Sequence, residues 1–251
     1  MQVAILIVNL PRCTNRRERM KKRLDHYGLE ATFIPAIDKS SLLVDWYMDQ
    51  QGWLPRWELS TRTETACYLS HLSAIRTGIK EHPEADYYLI LEDDALFRDD
   101  FFEQLPYWLK HNLDIIVPCA QNFAQGLAKD TFMPGLSWYH QETWGTWSAV
   151  GYFISRNYAP RALQLFDKPF RYLPYPRLVS EIIHRHAPKA VYTEDAFILE
   201  DGYDSTIRGI DGLNCHQQWF EKNYDYRRFL DGEGISYEEF RERRKPTIIP
   251  V

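Results

Sequence analysis

An apolar run leads directly into three carboxylates at Tyr87-Tyr88-Leu89-Ile90-Leu91-Glu92-Asp93-Asp94. Its length and its aliphatic and aromatic content predict a buried strand over residues 87–91. Adjacent like charges repel and lose hydration near a core, so we expect a bound cation, basic partners or plain exposure to compensate them. A hard divalent ion is favoured, because carboxylates suit Mg²⁺ or Mn²⁺ and no Cys/His cluster accompanies them in the sequence. The alternative is a strand end followed by a helix-capping turn.

The pleat of a strand determines which of these acids share a face. In an extended chain, Glu92 and Asp94 point to one side and Asp93 to the other. Glu92 and Asp94 are therefore the predicted metal ligands, and Asp93 is left to contact a bound ligand or the backbone. A turn at Asp93 would change this assignment. In open α/β sheets, ligands bind at the carboxyl ends of strands, which is where the triplet lies.

Three further blocks precede the acidic strand. Residues 2–8 read as a strand within Val3-Ala4-Ile5-Leu6-Ile7-Val8-Asn9-Leu10-Pro11-Arg12, followed by a helix that opens with Asn15-Arg16-Arg17-Glu18-Arg19-Met20. The second block, Ile34-Pro35-Ala36-Ile37-Asp38, follows a short predicted strand over residues 31–35. The third, Thr63-Glu64-Thr65-Ala66-Cys67-Tyr68-Leu69-Ser70-His71, opens a helix predicted over residues 64–81.

Taken in order, the four blocks resemble glycosyltransferase family 25, the lipopolysaccharide-type and collagen-type galactosyl- and glucosyltransferases. The family pattern runs V.NL.R…RR..M, A.D(G), GE.(A/G)C.LSH and LEDD, and this chain departs from it at Lys39 and Thr63, where the family has glycine. The resemblance implies a GT-A-like α/β fold, with a nucleotide sugar across the carboxyl ends of a Rossmann-like, mostly parallel sheet. Strands separated by helices agree with this class, and we expect antiparallel additions in the second half.

The resemblance and the chemistry of a nucleotide-sugar donor together predict a set of donor-binding residues. Arg12 and Arg16 surround a helix start, where free N–H groups and the helix dipole attract phosphate. Asn9 and Asp38 follow strands, within reach of the base or ribose. The full predicted set is Asn9, Arg12, Arg16, Asp38, Glu64 and His71. The alternatives are a solvated basic helix face for the arginines and a satisfied structural histidine for His71.

The catalytic base and the acceptor site are harder to assign. If the reaction inverts the anomeric centre, a carboxylate should deprotonate the acceptor hydroxyl. The family's P.D acid is replaced here by Pro176, so Glu181 is the predicted substitute, with Asp195, Glu200 and Asp201 as rivals. Asp93 is the second predicted catalytic residue, in contact with the donor ribose or sugar unless it bonds the backbone. Aromatic side chains in a long predicted loop over residues 119–147 are the candidates for acceptor stacking: Trp138, Tyr139, Trp144 and Trp147.

Composition bounds the partners and the compartment. A net charge of −5 without a large basic field argues against nucleic acid. The four cysteines are far apart, which predicts free thiols and a cytoplasmic protein, and no stretch approaches the length needed to span a bilayer. Peripheral contact with a membrane-bound acceptor stays open. We expect one domain over residues 1–251, with a nucleotide-sugar half (1–118), an acceptor half (119–231) and a charged tail (232–251).

These observations favour a metal-dependent glycosyltransferase. It would move galactose or glucose from a UDP-sugar to a glycan, a lipid-linked glycan or a hydroxylated acceptor, with Mn²⁺ or Mg²⁺ as cofactor and with inversion. A metal-dependent phosphoryl or nucleotidyl transferase also explains acids at a strand end, although a Walker-type glycine-rich loop is absent from the sequence. A non-catalytic carbohydrate-binding module of the same fold is the third hypothesis, and the missing P.D acid is its best argument.

Overall fold

The strands and helices that follow come from a computed structural model. It describes residues 1–51, 58–118, 131–138, 149–165, 186–200 and 225–230, and positions 179, 236 and 239. The strands are β1 Val3–Asn9, β2 Thr32–Pro35, β3 Tyr87–Glu92, β4 Ala95–Phe97, β5 Ile115–Val117, β6 Thr131–Met133, β7 Leu136–Trp138, β8 Gly151–Ser155, β9 Ala190–Thr193 and β10 Ile198–Glu200. The helices are α1 Thr14–His26, α2 Leu42–Gln51, α3 Glu58–Glu81, α4 Phe101–Leu109, α5 Ala159–Gln164 and α6 Arg227–Leu230.

One mixed sheet organises the described residues. Its eight strands lie in the order β2-β1-β3-β8-β5-β9-β7-β6. Strand β1 pairs in parallel with β2 and β3, and β5 pairs in parallel with β9. Among these strands, β7 and β8 alone run in the opposite direction. The sheet is therefore mostly parallel, with its antiparallel strands in the second half, and the predicted α/β class is confirmed.

The centre of this sheet is buried on both faces. Side chains of β3 from Tyr87 to Leu91 are all buried, which explains its continuous apolar sequence. Helix α3 packs against β1, β2 and β3. The helix approaches the sheet closely at Gly78, where an added Cβ would lie 2.9 Å from Leu6 Cδ1 and from Tyr88 Cδ1. This close packing fixes one face of α3 relative to the end of β3.

A two-stranded ribbon follows the acidic triplet. Strand β4 pairs antiparallel with β10, and Leu96 packs in a small apolar cluster with residues from β10 and α6. The backbone N–H of Asp99 donates to Arg228 O at 2.7 Å. The chain just after the acids is thus held by segments more than 90 positions later in the sequence.

Several predicted elements differ from the structure. The stretch 40–62 was expected to be irregular because it is rich in tryptophan and contains Pro55, but it holds α2 and the first turn of α3. Val44 and Tyr47 of α2 are buried, so tertiary packing overrides the weak local signal. Part of the expected loop 119–147 is the β6–β7 hairpin, with Gly135 at φ +82° in its turn. The helix expected over 177–186 lies almost entirely outside the described residues.

Replacement of Gly28 by Ala should lower the free energy of unfolding by about 1 kcal/mol. Gly28 ends α1 at φ +63°, and the N–H of Leu29 donates to Leu24 O at 3.0 Å. An added Cβ would meet nothing within 4 Å, so the whole cost is conformational. Urea denaturation measures the loss, and Gly28→Asn is the matched control, since asparagine tolerates positive φ better. An Ala variant as stable as the wild type would contradict this account.

The buried Tyr87 hydroxyl should make the free energy of unfolding fall at alkaline pH. This hydroxyl donates to Leu113 O at 2.9 Å, and burial raises the pKa of Tyr87 from 10.0 to about 12. Above pH 10 the unfolded state ionises first, so the free energy of unfolding falls as pH rises from 10 to 12. Tyr87→Phe should be about 1 kcal/mol less stable than the wild type at pH 8, and this deficit should shrink in alkali. Urea denaturation at several pH values tests it; a constant deficit would refute it.

Candidate active site

A cleft opens where β1, β2 and β3 end. These strands are parallel, so their carboxyl ends meet at one edge of the sheet. The space, including its open mouth, is about 790 Å³. Charged and polar side chains from five segments line it: Arg12, Arg16, Asp38, Cys67, Glu92 and Asp94. Several of the residues predicted from sequence therefore share one cleft.

The acidic triplet does not continue the strand. Strand β3 ends at Glu92, and residues Asp93 and Asp94 form a turn before β4 begins. The alternation that placed Glu92 and Asp94 on one face depended on an extended chain, and this condition is not met. The three acids divide instead into two clusters with different partners.

Asp93 and Asp94 form the first cluster, with Arg16. The Arg16 guanidinium contacts Asp93 Oδ1 and lies 2.7 Å from Asp94 Oδ2. Asn9 Nδ2 donates to Asp93 Oδ2 at 2.6 Å. Asp93 is only 5% exposed and Arg16 is also buried, so Arg16 does not lie on a solvated helix face. Of the three ways in which the charges of the acids could be compensated, a basic partner, Arg16, is the one that the structure shows for Asp93 and Asp94.

Glu92 belongs to the second cluster, with Cys67 and His71 of α3. Cys67 Sγ donates to Glu92 Oε1 at 3.2 Å, and His71 Nε2 lies 3.6 Å from the same oxygen. On its other side, His71 Nδ1 lies 3.3 Å from the Tyr152 hydroxyl of β8. From the sequence, no Cys/His cluster was expected beside the acids. This expectation is wrong, because the fold brings Cys67 and His71 of α3 next to Glu92.

Burial and charge set the protonation of this second cluster. Burial raises the pKa of the Cys67 thiol well above its usual value, and the neighbouring Glu92 carboxylate adds to the effect. Burial alone would also raise the pKa of Glu92, but contact with His71, the Cys67 hydrogen bond and the Arg16 charge together hold it below its usual value. Glu92 is therefore ionised at neutral pH and accepts a hydrogen bond from the Cys67 thiol.

Arg12 and Asp38 meet at the mouth of the cleft, where they form an ion pair. The Arg12 side chain is 56% exposed, and Asp38 also accepts from the Ser40 N–H at 2.9 Å. Deeper in the cleft, Ser70 Oγ accepts from the Ile37 N–H at 2.8 Å. This bond ties α3 to the loop after β2, so both walls of the cleft are fixed relative to each other.

The remaining predicted residues are less closely tied to the cleft. Glu64 lies one turn before Cys67 on α3, where its charge contributes to the raised Cys67 pKa. Trp138 ends β7 and packs against Phe132, with ring centroids 4.6 Å apart; it is not among the cleft-lining residues. Asp195 is 81% exposed at its side chain and lies 3.9 Å from Arg98. Four predicted residues and one rival lie outside the described residues: Glu181, Tyr139, Trp144, Trp147 and Asp201.

Sequence reasoning missed Cys67 as a member of the site. It treated the four cysteines only as a question of disulfides and redox compartment, and it considered His71 alone. The available signal was the spacing of Cys67 and His71, since residues four apart lie on one face of a helix.

Within the part of the chain that the structure describes, no helix is long and apolar enough to cross a membrane.

Comparisons with known proteins support the resemblance. Residues 2–176 match the model of glycosyltransferase family 25 (LPS biosynthesis protein). A Drosophila melanogaster glycosyltransferase 25 family member is 33% identical over 132 residues, 48% of this chain and 19% of that protein. Human procollagen galactosyltransferase 2 is 26% identical over 208 residues, 76% of this chain and 32% of that protein. The chain thus spans between about a fifth and a third of the length of these curated relatives.

Solved structures are more distant. A glycosyltransferase involved in the glycosylation of the major capsid of PBCV-1 is 10% identical with a TM-score of 0.43, covering 87% of this chain and 100% of that one. A197 from STIV is also 10% identical with a TM-score of 0.43, covering 79% of this chain and 83% of that one. The family match, which extends over well more than half of the residues, is decisive. This chain belongs to glycosyltransferase family 25.

Proposed function

We propose that this protein is a glycosyltransferase that moves galactose or glucose from a UDP-sugar to a glycan or hydroxylated acceptor, with the help of a divalent metal ion. One observation carries the proposal: the acids after β3 and the arginines around the start of α1 line the same cleft. The negative charge on a diphosphate grows as it leaves, so nearby positive groups stabilise it, and carboxylates can hold those positive groups in place. Family membership supports the reaction class.

The arginines are the groups we assign to the donor diphosphate. Arg16 is held in place by Asp93 and Asp94, so its orientation is fixed before any ligand binds. Arg12, at the cleft mouth, is more exposed, and it can exchange its Asp38 partner for phosphate oxygens. Asn9 supports Asp93 from the end of β1, and Asp38 is left to accept a hydrogen bond from the ribose or the base.

The carboxylates at the cleft fit a divalent ion of the Mn²⁺ or Mg²⁺ type. Asp94 and Glu92 both line the cleft, and the Asp94 side chain keeps 15% of its surface exposed there. The turn at Asp93 removes the shared strand face on which this pair was predicted, but both carboxylates still line one cleft. We therefore assign them to the ion, whose positive charge would stabilise the leaving diphosphate. Asp93 is more deeply buried, and its contacts with Arg16 and Asn9 stabilise the turn after β3. His71 contacts Glu92 from α3, and Glu64, one turn before Cys67, is the other donor-site residue that we propose on this helix.

The acceptor half of the proposal follows the family resemblance. Glu181 is the base we assign to an inverting reaction, and Trp138, Tyr139, Trp144 and Trp147 are the proposed acceptor-stacking residues. The free thiols of Cys13 and Cys67 support a reducing, cytoplasmic setting. A glycan of the lipopolysaccharide type, or a hydroxylated side chain of the collagen type, is the acceptor class that we propose to test first.

A donor screen followed by a transfer assay tests the proposal. In thermal shift with Mn²⁺, one UDP-hexose should raise Tm more than UDP alone or GDP-sugars do, because a ligand that binds the native state stabilises it. The same UDP-hexose should then be transferred or hydrolysed only when Mn²⁺ or Mg²⁺ is present. Release of phosphate or pyrophosphate from free nucleotide would indicate a phosphoryl or nucleotidyl transferase instead. Glycan binding with no turnover would indicate a non-catalytic module.

A further inference from the structure

We propose that Cys67, His71 and Glu92 form a binding site for a transition-metal ion of the Zn²⁺ type. Each residue offers one ligand atom, and the sulfur, nitrogen and oxygen atoms all lie within 4.8 Å of one another. This mixed set differs in chemistry from the all-oxygen set that a Mn²⁺ or Mg²⁺ ion prefers.

Two of the three distances between these atoms are close to the edges of a zinc tetrahedron. Zinc–ligand bonds of roughly 2.0 to 2.3 Å place neighbouring ligand atoms about 3.3 to 3.8 Å apart. Cys67 Sγ lies 3.2 Å and His71 Nε2 lies 3.6 Å from Glu92 Oε1. All three ligand atoms lie within 4.8 Å of one another, so an ion that contacts all of them would draw the Cys67 and His71 side chains together around it.

The fold aims His71 at this position. Its side chain is completely buried, and Nε2 has no hydrogen-bond partner among the described residues, although it points toward Glu92. The opposite ring nitrogen contacts the Tyr152 hydroxyl at 3.3 Å, and the two rings stack with centroids 5.6 Å apart. Partners of this kind on the far nitrogen fix the ring orientation in metal sites. A buried nitrogen directed at a thiol and a carboxylate is an arrangement that a metal completes.

The elements that carry the ligands are rigid, and one side of the site is open. Cys67 and His71 are four residues apart on α3, while Glu92 is the last residue of β3. Cys67 and Glu92 also line the cleft, so the fourth coordination position faces solvent or substrate. Coordination replaces the hydrogen bond between Cys67 and Glu92 by bonds to the metal, and the thiol proton passes to the buffer. Binding at this site does not depend on the proposed sugar transfer.

Cobalt is the spectroscopic probe for this site. Addition of Co²⁺ to the reduced, metal-free full chain should produce a near-ultraviolet thiolate-to-cobalt charge-transfer band that saturates at one equivalent, and Zn²⁺ should abolish it. Cys67→Ser should remove the band and weaken Zn²⁺ binding by more than about 100-fold, beyond the usual effect of losing an outer partner. Cys13→Ser is the matched control, because Cys13 is also a free, half-buried thiol, and it should keep the band.

Thiol alkylation gives a second readout that does not depend on the spectrum. With one equivalent of Zn²⁺, iodoacetamide should label Cys67 at least about tenfold more slowly, while labelling of Cys13 stays unchanged; peptide mass spectrometry separates the two. Glu92 is shared with the ligand pair assigned to the donor's metal, so Asp94, which belongs to that pair alone, distinguishes the two sites: Asp94→Asn should keep both the band and the protection. A band that survives Cys67→Ser, or Zn²⁺ without effect on Cys67 alkylation, would overturn the proposal even if sugar transfer is found.

Discussion

Asp94→Ala should lower the rate of sugar transfer at saturating metal by at least about 100-fold, the range seen when a group that stabilises transition-state charge is removed. The Asp94 carboxylate lines the cleft and contacts Arg16, so it lies where metal and diphosphate would meet. Its removal leaves Arg16 paired with Asp93, so no buried charge loses its only partner and the fold should persist. Initial rates of UDP release with acceptor, over a range of Mn²⁺ concentrations, measure the effect.

The control for this experiment is Asp25→Asn. Asp25 is an exposed aspartate of α1 that does not line the cleft, and its replacement should leave the rate within about twofold, as is typical of surface positions. Circular dichroism and Tm of Asp94→Ala should stay close to the wild type. An Asp94→Ala enzyme that folds normally and keeps wild-type activity would exclude Asp94 from the reaction.

Arg16→Met should lower the free energy of unfolding by roughly 3 to 5 kcal/mol, the usual cost of breaking a buried ion pair from one side. Asp93 is 5% exposed and would keep the amide of Asn9 but lose the cation that faces it. Urea denaturation at pH 7 measures the change. Arg16→Lys should lose less, because lysine keeps a positive charge that can face Asp93 and Asp94.

A double variant separates loss of charge from loss of packing. If the cost of Arg16→Met comes from an uncompensated Asp93, then adding Asp93→Asn should recover part of it, since a neutral amide is cheaper to bury than a carboxylate. Additive losses in the double variant would show that an uncompensated Asp93 is not the source of the cost of Arg16→Met.

Regular patterns made much of the first hundred residues predictable. Strand β1, helix α1 and strand β3 follow from apolar runs and helical spacing. The family resemblance rested on four blocks in order, and the family match confirms it. Local sequence was sufficient there because hydrophobic periodicity and burial indicate the same elements.

Contacts between distant residues were not predictable in the same way. The sequence left a turn at Asp93 open as an alternative to an extended chain, but it did not show that the turn leads into β4, whose partner β10 lies about one hundred positions later. The approach of Cys67 to Glu92 depends on how α3 packs on β3, which is fixed by close contacts such as the one at Gly78. Helix α2 was missed because its apolar pattern is weak and its stability comes from burial of Val44 and Tyr47.

The β4–β10 ribbon limits where this chain can be shortened. The family match ends at residue 176, which invites recombinant fragments that stop there. Such a fragment would lack β10 and α6, leaving the edge of β4 without its partner and uncovering Leu96. Unpaired strand edges promote association between molecules, so truncation at that boundary would yield an aggregating product. Expression of this domain should therefore extend at least through Leu230, the last residue of α6.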